Sequence, residues 1–321
     1  MNINDNSNHI TENNEEKHAQ RPILSYKDIE DNNKLFLSMT SLHKREFHDL
    51  CIYFEISWNK YDNERRAENN GKGGRPPALF TIQDKLFFIL FYLKCYQLQE
   101  IIGYLFGIPQ SQANYWIHVL AHVLEEALSS ADCLPARVSS DLLEKLNMEG
   151  KQDLVIDGTE RRIQRPTDND EQRKYYSGKK KAHTVKNLVI VGESDREVKY
   201  LSDTVEGKKH DKKVADEAEL EFPKNTIIIQ DSGFQGYHPE GTTISQPKKK
   251  PRGGQLTEED KESNRLISRI RVVVENVISG IKRLHIVKDV FRNTKEGFDD
   301  LVIFLACGLH NFRNRHRFQT Y

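Results

Sequence analysis

The run QDLVIDGTE, residues 152–160, is apolar from Leu154 to Ile156 and then stops at an acid and a glycine, Asp157 and Gly158. A short unbroken apolar run closed by turn-forming residues is the pattern of a buried strand. NLVIVG (187–192) and NTIIIQD (225–231) repeat the pattern, and VKYLSDTV (198–205) reads as a further strand. Between the last two, KKHDKKVADEAELEF (208–222) has helical composition. Strand, strand, strand, helix, strand is the order of an α/β unit with a mixed sheet. A loop rich in Lys, Pro and Gly (246–254) follows, and helical patterns run on from there.

Upstream the period changes from strand to helix. Leu42, Phe47, Leu50, Cys51, Phe54 and Trp58 recur at helical spacing, so a helix is expected from Leu42 to Trp58, capped by Thr40 or Ser41. YDNERRAENNGKGGRPPALF (61–80) loses that period and reads as a linker. Thr81 with Asp84 three residues on forms a capping box for a helix from Ile82 to Cys95. A short helix from Leu98 to Phe106, a break at Gly107–Pro109 and a third helix capped by Ser111 complete the order of a helix-turn-helix. The same order also suits a small all-helical packing unit. Residues 1–33 are polar and aperiodic, the composition of a disordered tail. The expected organisation is therefore a tail (1–33), a helical domain (34–145) and an α/β domain (150–321).

At 321 residues, with 37% hydrophobic and 30% charged side chains, the chain has material for two cores. Mean hydropathy is −0.70 and no apolar run approaches the ~20 residues of a membrane span, so a soluble cytoplasmic, nucleoid-associated protein is expected if the source is bacterial. Cys51, Cys95, Cys133 and Cys307 have neither disulfide nor zinc spacing and read as buried thiols. The net charge is zero, but its distribution is uneven. RKYYSGKKKAHTVK (173–186) holds Arg173, Lys174, Lys179, Lys180, Lys181 and Lys186 without an acid, and Lys248, Lys249, Lys250 and Arg252 form a second basic cluster. Such runs neutralise phosphates, with Tyr175, Tyr176 and His183 available to stack or donate, or they are simply solvated loops. GGRPP (73–77) has the composition of a minor-groove arm.

Two acids close apolar strands, Asp157 before Gly158 and Asp231 before Ser232 and Gly233. A strand end fixes the backbone while presenting the side chain at the open edge of a sheet. Each acid, taken alone, equally suits a turn start. A third, Glu275, interrupts the helical run RIRVVVENVISGI (269–281), whose apolar side carries Ile267, Ile270, Val274, Ile278 and Ile281. Glu is seldom buried without a partner. Arg271 lies four residues before it and Lys282 seven after, on one helical face, so Arg271 and Glu275 could also be a plain surface ion pair.

VIDGTE, YYSGKKKAHTVKN (175–187), QDSGFQGY (230–237), KKKPRGGQLTEEDKESN (248–264) and RIRVVVENVISGIKRLHIVKD (269–289) together resemble the DDE transposases of the IS4 and IS5 insertion-sequence groups, relatives of the Harbinger-type transposases. With the helix-turn-helix, the resemblance spans most of residues 75–310. The family pattern Tyr-x2-Arg-x3-Glu-x6-Lys falls on Ser268, Arg271, Glu275 and Lys282, so the tyrosine is replaced by serine while the other three keep their places. The resemblance implies an RNase H-like α/β fold with Asp157 on the first strand, Asp231 after the fourth and Glu275 on a later helix. It also implies that the three acids are catalytic and hold two divalent cations, Mg2+ with Mn2+ as a substitute, for DNA cleavage and strand transfer. Glu160 is a nearby rival ligand.

The partners implied are double-stranded DNA, namely transposon inverted repeats and target DNA, and a second copy of the chain in a homodimer or larger assembly on DNA. No membrane partner is expected. Phosphate contacts are expected from Arg271, Lys282, Lys179, Lys180, Lys181, His183, Lys186, Lys248, Lys249, Lys250 and Arg252. Gln112, Asn114 and Tyr115, near the start of the third helix, would face DNA while Trp116 and Leu120 pack inward. The alternatives are a nuclease that cuts without joining and a regulator that binds DNA without cutting.

Overall fold

The computed structural model describes residues 22–68, 79–150, 153–250 and 252–318. It opens with α1 (Tyr26–Ile29), α2 (Asn33–Thr40) and the long α3 (Lys44–Glu68). Residues 22–33, expected as the end of a tail, are thus structured. Tyr26 and Ile29 are buried, and the Tyr26 amide donates to the Asp84 carboxylate at 3.0 Å. Their few apolar anchors were hidden among Asn and Asp. Thr40 and Ser41 end α2 rather than cap α3, since Ser41 adopts a left-handed conformation with φ 67°. The expected linker is helical as far as Glu68, where Asp62 pairs with Arg65 and Arg66 at 2.8 and 2.7 Å. GGRPP lies outside the described residues.

The expected helix-turn-helix is α4 (Ile82–Cys95), α5 (Gln99–Phe106) and α6 (Gln110–Ser130). Thr81 caps α4 as expected, accepting from the Asp84 amide at 3.0 Å, but its hydroxyl donates to the Asp84 carboxylate at 2.6 Å, so the two side chains meet directly where a full capping box would return the acid to the Thr81 amide. Ser111 is not the cap of α6. The helix starts immediately after Pro109, and Ser111 is already inside it. The turn is tight because Gly103 has no side chain: a Cβ there would stand 2.6 Å from the Ile108 carbonyl oxygen. Trp116 and Leu120 pack inward, Trp116 against Trp58 with ring centroids 5.8 Å apart. A further helix that the sequence pattern does not separate, α7 (Ser139–Glu149), leads into the sheet.

The sheet is built from β1 (Leu154–Arg162), then, beyond the short α8 (Asn169–Tyr175), β2 (Tyr176–Ser177), β3 (Ala182–Gly192), β4 (Val198–Leu201) and β5 (Val205–Glu206). After α9 (Asp211–Glu217) come β6 (Ile227–Ile229) and β7 (Thr243–Ser245), then α10 (Glu258–Ile281), α11 (His285–Lys288) and α12 (Phe298–Phe318). The strand order is β2-β3-β1-β6-β7, with β4 and β5 also paired to β3. β1 is antiparallel to β3 and parallel to β6, so the sheet is mixed as expected. The single strand expected over 198–205 is broken by Ser202–Thr204, whose polar groups bond to Asn187 and Asp300. β7 was not legible, since TIS alone carries no strand signal.

The boundary near 145–150 separates types of secondary structure but not cores. One apolar cluster runs from Phe54, Leu90 and Leu124 to Val155, Val274 and Leu305. Tyr96 stacks on Phe291, the Arg292 amide donates to the Tyr96 hydroxyl at 2.6 Å, and Asn311 of α12 bonds to both backbone groups of Val198. Three of the cysteines are buried thiols and Cys95 is half-buried. Among the described residues no helix is long and apolar enough to cross a membrane.

Candidate active site

Asp157 does not close its strand. β1 continues to Arg162 because β3 pairs with it along its whole length, whereas the parallel partner β6 meets only Leu154 and Val155. Asp157 therefore sits just past the point where β6 ends, at the step in the sheet where the parallel neighbour gives way to loop. Asp231 lies two residues beyond β6 and caps a short 3-10 turn (Ser232–Phe234), accepting from the Gly233 amide at 2.6 Å. Glu275 is on α10, which packs across β1 and β6.

A cleft of about 190 Å³ joins these elements, lined by Asp157 and Glu160 of β1, Lys179 and Lys180 of the basic segment, and Glu275 and Lys282 of α10. Asp231 enters the same neighbourhood through Arg271, whose Nη2 is 3.7 Å from its Oδ2. Burial pushes the Asp157 carboxyl up to about 6, opposed by the Gly158 amide and reinforced by the charges of Asp231 and Asp211. Asp157 thus experiences the other acids across the step beyond β6. Burial depresses the Lys282 ammonium, aided by repulsion from Lys180 and Arg161, and it donates to the Glu160 carbonyl at 3.1 Å.

One acid of this neighbourhood has no signal in the sequence. Asp211 starts α9, and a Cβ on Gly158 would lie 2.7 Å from its Oδ1 while one on Gly233 would lie 3.3 Å from its Oδ2. The glycine after Asp157 and the glycine two residues after Asp231 are what admit its carboxylate between the two strand ends. Its neighbours in KKHDKK disguise it as part of a charged helix. Only the juxtaposition with two glycines distant in sequence reveals it.

The family described as "DDE superfamily endonuclease" matches residues 156–311, and "Helix-turn-helix of DDE superfamily endonuclease" matches residues 77–130. A probable transposase for insertion sequence element IS702, from Microchaete diplosiphon, is 29% identical over 242 residues, which is 75% of this chain and 83% of that protein. No solved structure matches the chain. The chain belongs to the DDE transposases of insertion sequences. The helical region with its helix-turn-helix, followed by the mixed sheet, is the arrangement expected of this DDE transposase.

Several of the transposase's residues sit differently from expectation. Glu275 is exposed on the cleft side of α10 rather than buried on its apolar side, which is formed by Ile267, Val274, Val277 and Ile281. Arg271 points to Asp231, so the plain Arg271–Glu275 ion pair is not the arrangement found. Glu160 accepts from the Thr184 hydroxyl at 3.0 Å and its side chain is buried, which engages the rival ligand elsewhere. Lys186 is buried, 2.8 Å from Asp211 and 3.8 Å from Glu160, and is not free to meet a phosphate. β3 is buried at every residue from Thr184 onward, with Lys186 held between Glu160 of β1 and Val205 of β5, which its lysine-rich surroundings conceal.

The basic segment also has anionic neighbours. Arg173 lies 3.6 Å from Asp170 and Lys174 3.7 Å from Glu171, both one helical turn away on α8. Lys179, Lys180 and Lys181 remain exposed, and His183 packs edge-on to Tyr176 at 5.6 Å. In the second cluster Lys248 pairs with Asp260 at 2.5 Å and Lys249 with Gln235 at 2.6 Å, while Lys250 and Arg252 are exposed. Near the start of α6, Gln112 is exposed, Asn114 donates to Gln99 at 3.2 Å, and the exposed Tyr115 shares a hydrogen bond with Tyr61 at 3.2 Å. Ser268, where the family has tyrosine, donates to the Asn264 carbonyl of its own helix.

A resident cation would need hard oxygen donors, and this neighbourhood supplies several carboxylates, one of them raised by burial and by the charges of the others. The donor chemistry fits a hard divalent ion. Among the described residues no three His, Cys, Asp or Glu side chains already close around one point, so the carboxylates form an open set.

Proposed function

We propose that this transposase cleaves and joins DNA strands by metal-dependent phosphoryl transfer, with Asp157, Asp231 and Glu275 holding two divalent cations, Mg2+ with Mn2+ as a substitute. The observation that carries the reading is the shared cleft: Asp157 and Glu275 line it together, and Arg271, one turn before Glu275, reaches Asp231. When bound, the two ions would stabilise the attacking and leaving oxygens of an in-line displacement. Lys179 and Lys180 at the cleft mouth hold the scissile strand by its phosphates, and Lys282 fixes α10 against β1 through the Glu160 carbonyl. Arg271 orients Asp231. The helical unit (34–145) docks the inverted repeat through Gln112 and Tyr115, and the sheet unit (150–321) carries the chemistry, with a second copy joining on DNA.

Asp157→Asn, Asp231→Asn and Glu275→Gln should each lower metal-dependent cleavage of inverted-repeat DNA by roughly a thousandfold or more while leaving end binding intact, because the ligands act as one unit. A single variant that cuts near the wild-type rate removes that residue from the site. Cutting without joining of the ends would reduce the reading to a nuclease.

A further inference from the structure

On the face of α10 next to the one that carries Glu275 and Lys282 lies a second groove. Glu275, Ile278 and Lys282 form one stripe at helical spacing; Asn276, Ser279 and Arg283, each one residue later, form another about 100° around the helix. The second stripe faces α12, where His310, Arg313, Asn314 and Arg317 recur at i, i+3, i+4 and i+7, and Arg196 from the β3–β4 turn closes one end. The groove has a volume of about 350 Å³, and no carboxylate lines it.

The helices approach closely at Gly280, where a Cβ would stand 2.6 Å from the His310 Nδ1, and around this narrow floor Arg196, Arg283 and Arg317 are exposed while Arg313 is buried. Two acids close to the groove are paired outside it: Asp195 is 2.5 Å from Lys199 and Glu197 is 2.7 Å from Arg315. Glu46, which accepts the His43 amide at 2.7 Å, offsets part of the Arg313 charge from behind. Arg313 is buried and donates to the Ser41 hydroxyl at 2.6 Å and the Gly280 carbonyl at 2.9 Å, neutral partners both. The charges of Arg283 and Arg317 add to burial in depressing both Arg313 and His310. The groove is thus a region of positive potential that the surrounding side chains leave largely uncompensated, and guanidinium forks are matched to phosphate oxygens.

We infer that this groove between α10 and α12 binds the phosphodiester backbone of duplex DNA, as a second contact track beside the cleft on the adjoining face of the same helix. It rests on the reading of the chain as a DNA-cutting enzyme. Arg283 follows Lys282 directly, so a duplex seated along the groove lies against the helix that lines the cleft. The contacts are to backbone alone, so they hold unrelated sequences equally well.

The test compares the full chain with the triple variant Arg196→Ala, Arg283→Ala, Arg317→Ala, all three exposed, and leaves the buried Arg313 in place. A control variant, Lys27→Ala, Lys34→Ala, Arg45→Ala, removes the same charge from exposed positions outside the groove. Binding of a duplex of unrelated sequence is measured against salt. The slope of log K against log salt should become shallower by about 2 to 3 in the groove variant, about 0.9 for each phosphate it no longer holds, and the control should keep the wild-type slope. Equal slopes for groove variant and wild type, or an equal change in both variants, overturn the proposal. So does a groove that binds only a small anion, shown by inorganic phosphate stabilising the wild type and not the groove variant while DNA slopes agree. Failure of the underlying reading looks different: the wild type itself then fails to cut DNA with divalent metal.

Discussion

Arg271 holds its guanidinium 3.7 Å from the Asp231 carboxylate, linking the helix that carries Glu275 to the loop that ends β6. Its Nε is buried without a hydrogen-bond partner among the described residues, and its charge also acts on Asp157, so one cation faces two of the acids. Removing it frees Asp231 from α10 while Asp231 still caps its own turn through the Gly233 amide. Arg271→Ala should therefore leave DNA binding within a few-fold of wild type and reduce cleavage about a hundredfold, the scale of a small misplacement of a reacting group. Arg271→Lys should restore part of it. Cleavage by the alanine variant close to wild type would show that the link is incidental.

Lys186 makes the opposite case, a basic residue that is structural. It sits between Asp211 and Glu160 with its side chain almost entirely buried and also donates to the Lys209 carbonyl at 2.7 Å. Lys186→Met leaves two carboxylates facing each other without their cation. Stability to urea should fall by about 3 kcal/mol, the scale for removing one partner of a buried ion pair. The salt dependence of DNA binding should not change. A shallower salt slope in a stably folded variant would put Lys186 among the phosphate contacts after all.

The Thr81 cap, the inward packing of Trp116 and the apolar strand run ahead of Asp157 are legible because each is a local pattern: a side chain answering an amide three residues on, or an apolar period. What was not legible depends on pairing between distant segments. Asp157 is mid-strand because β3 continues alongside it, which no window around VIDGTE can show. Glu275 faces the cleft and not the core because α10 is rotated to bury Val274 and Val277 instead, a choice made by the sheet beneath it. Lys186 and Asp211 are far apart in sequence and each lies in a lysine-rich run, so their mutual burial had no local signature.

Two histidines give the fold an acid sensitivity that is independent of the cleft. His118 of α6 packs edge-on to Phe298 at 4.5 Å, and His310 donates to the Arg196 carbonyl at 3.1 Å; burial holds both down to about 4, with neighbouring cations adding to the shift. Because the folded values lie below the unfolded value of about 6.5, the unfolded chain binds more protons between about pH 6.5 and 4. Stability should be insensitive to these rings above about pH 6.5 and should fall as pH drops towards 4. His118→Gln with His310→Gln should flatten that part of the urea-midpoint profile. An unchanged profile would assign the acid sensitivity to carboxylates.

The last expectation separates the lysines at the cleft mouth from the rest of the basic segment. Arg173 and Lys174 have acids one helical turn away and Lys186 is buried, which leaves Lys179, Lys180 and Lys181 as the exposed cations of the run that make no ion pair among the described residues. Lys179 and Lys180 line the cleft with Asp157 and Glu275, and Lys181 follows in a left-handed turn with φ 52° that swings the chain into β3. Replacing all three with Ala should weaken binding to related and unrelated DNA alike and lower the salt slope by about 0.9 for each phosphate no longer neutralised. Because two of the three border the acids, cleavage at saturating DNA should also fall, which removing a remote phosphate-binding side chain would not cause. Weaker binding to a single sequence would point to base readout. An unchanged slope in the folded variant would leave these lysines as solvent-facing charge and place the scissile phosphates elsewhere along the cleft.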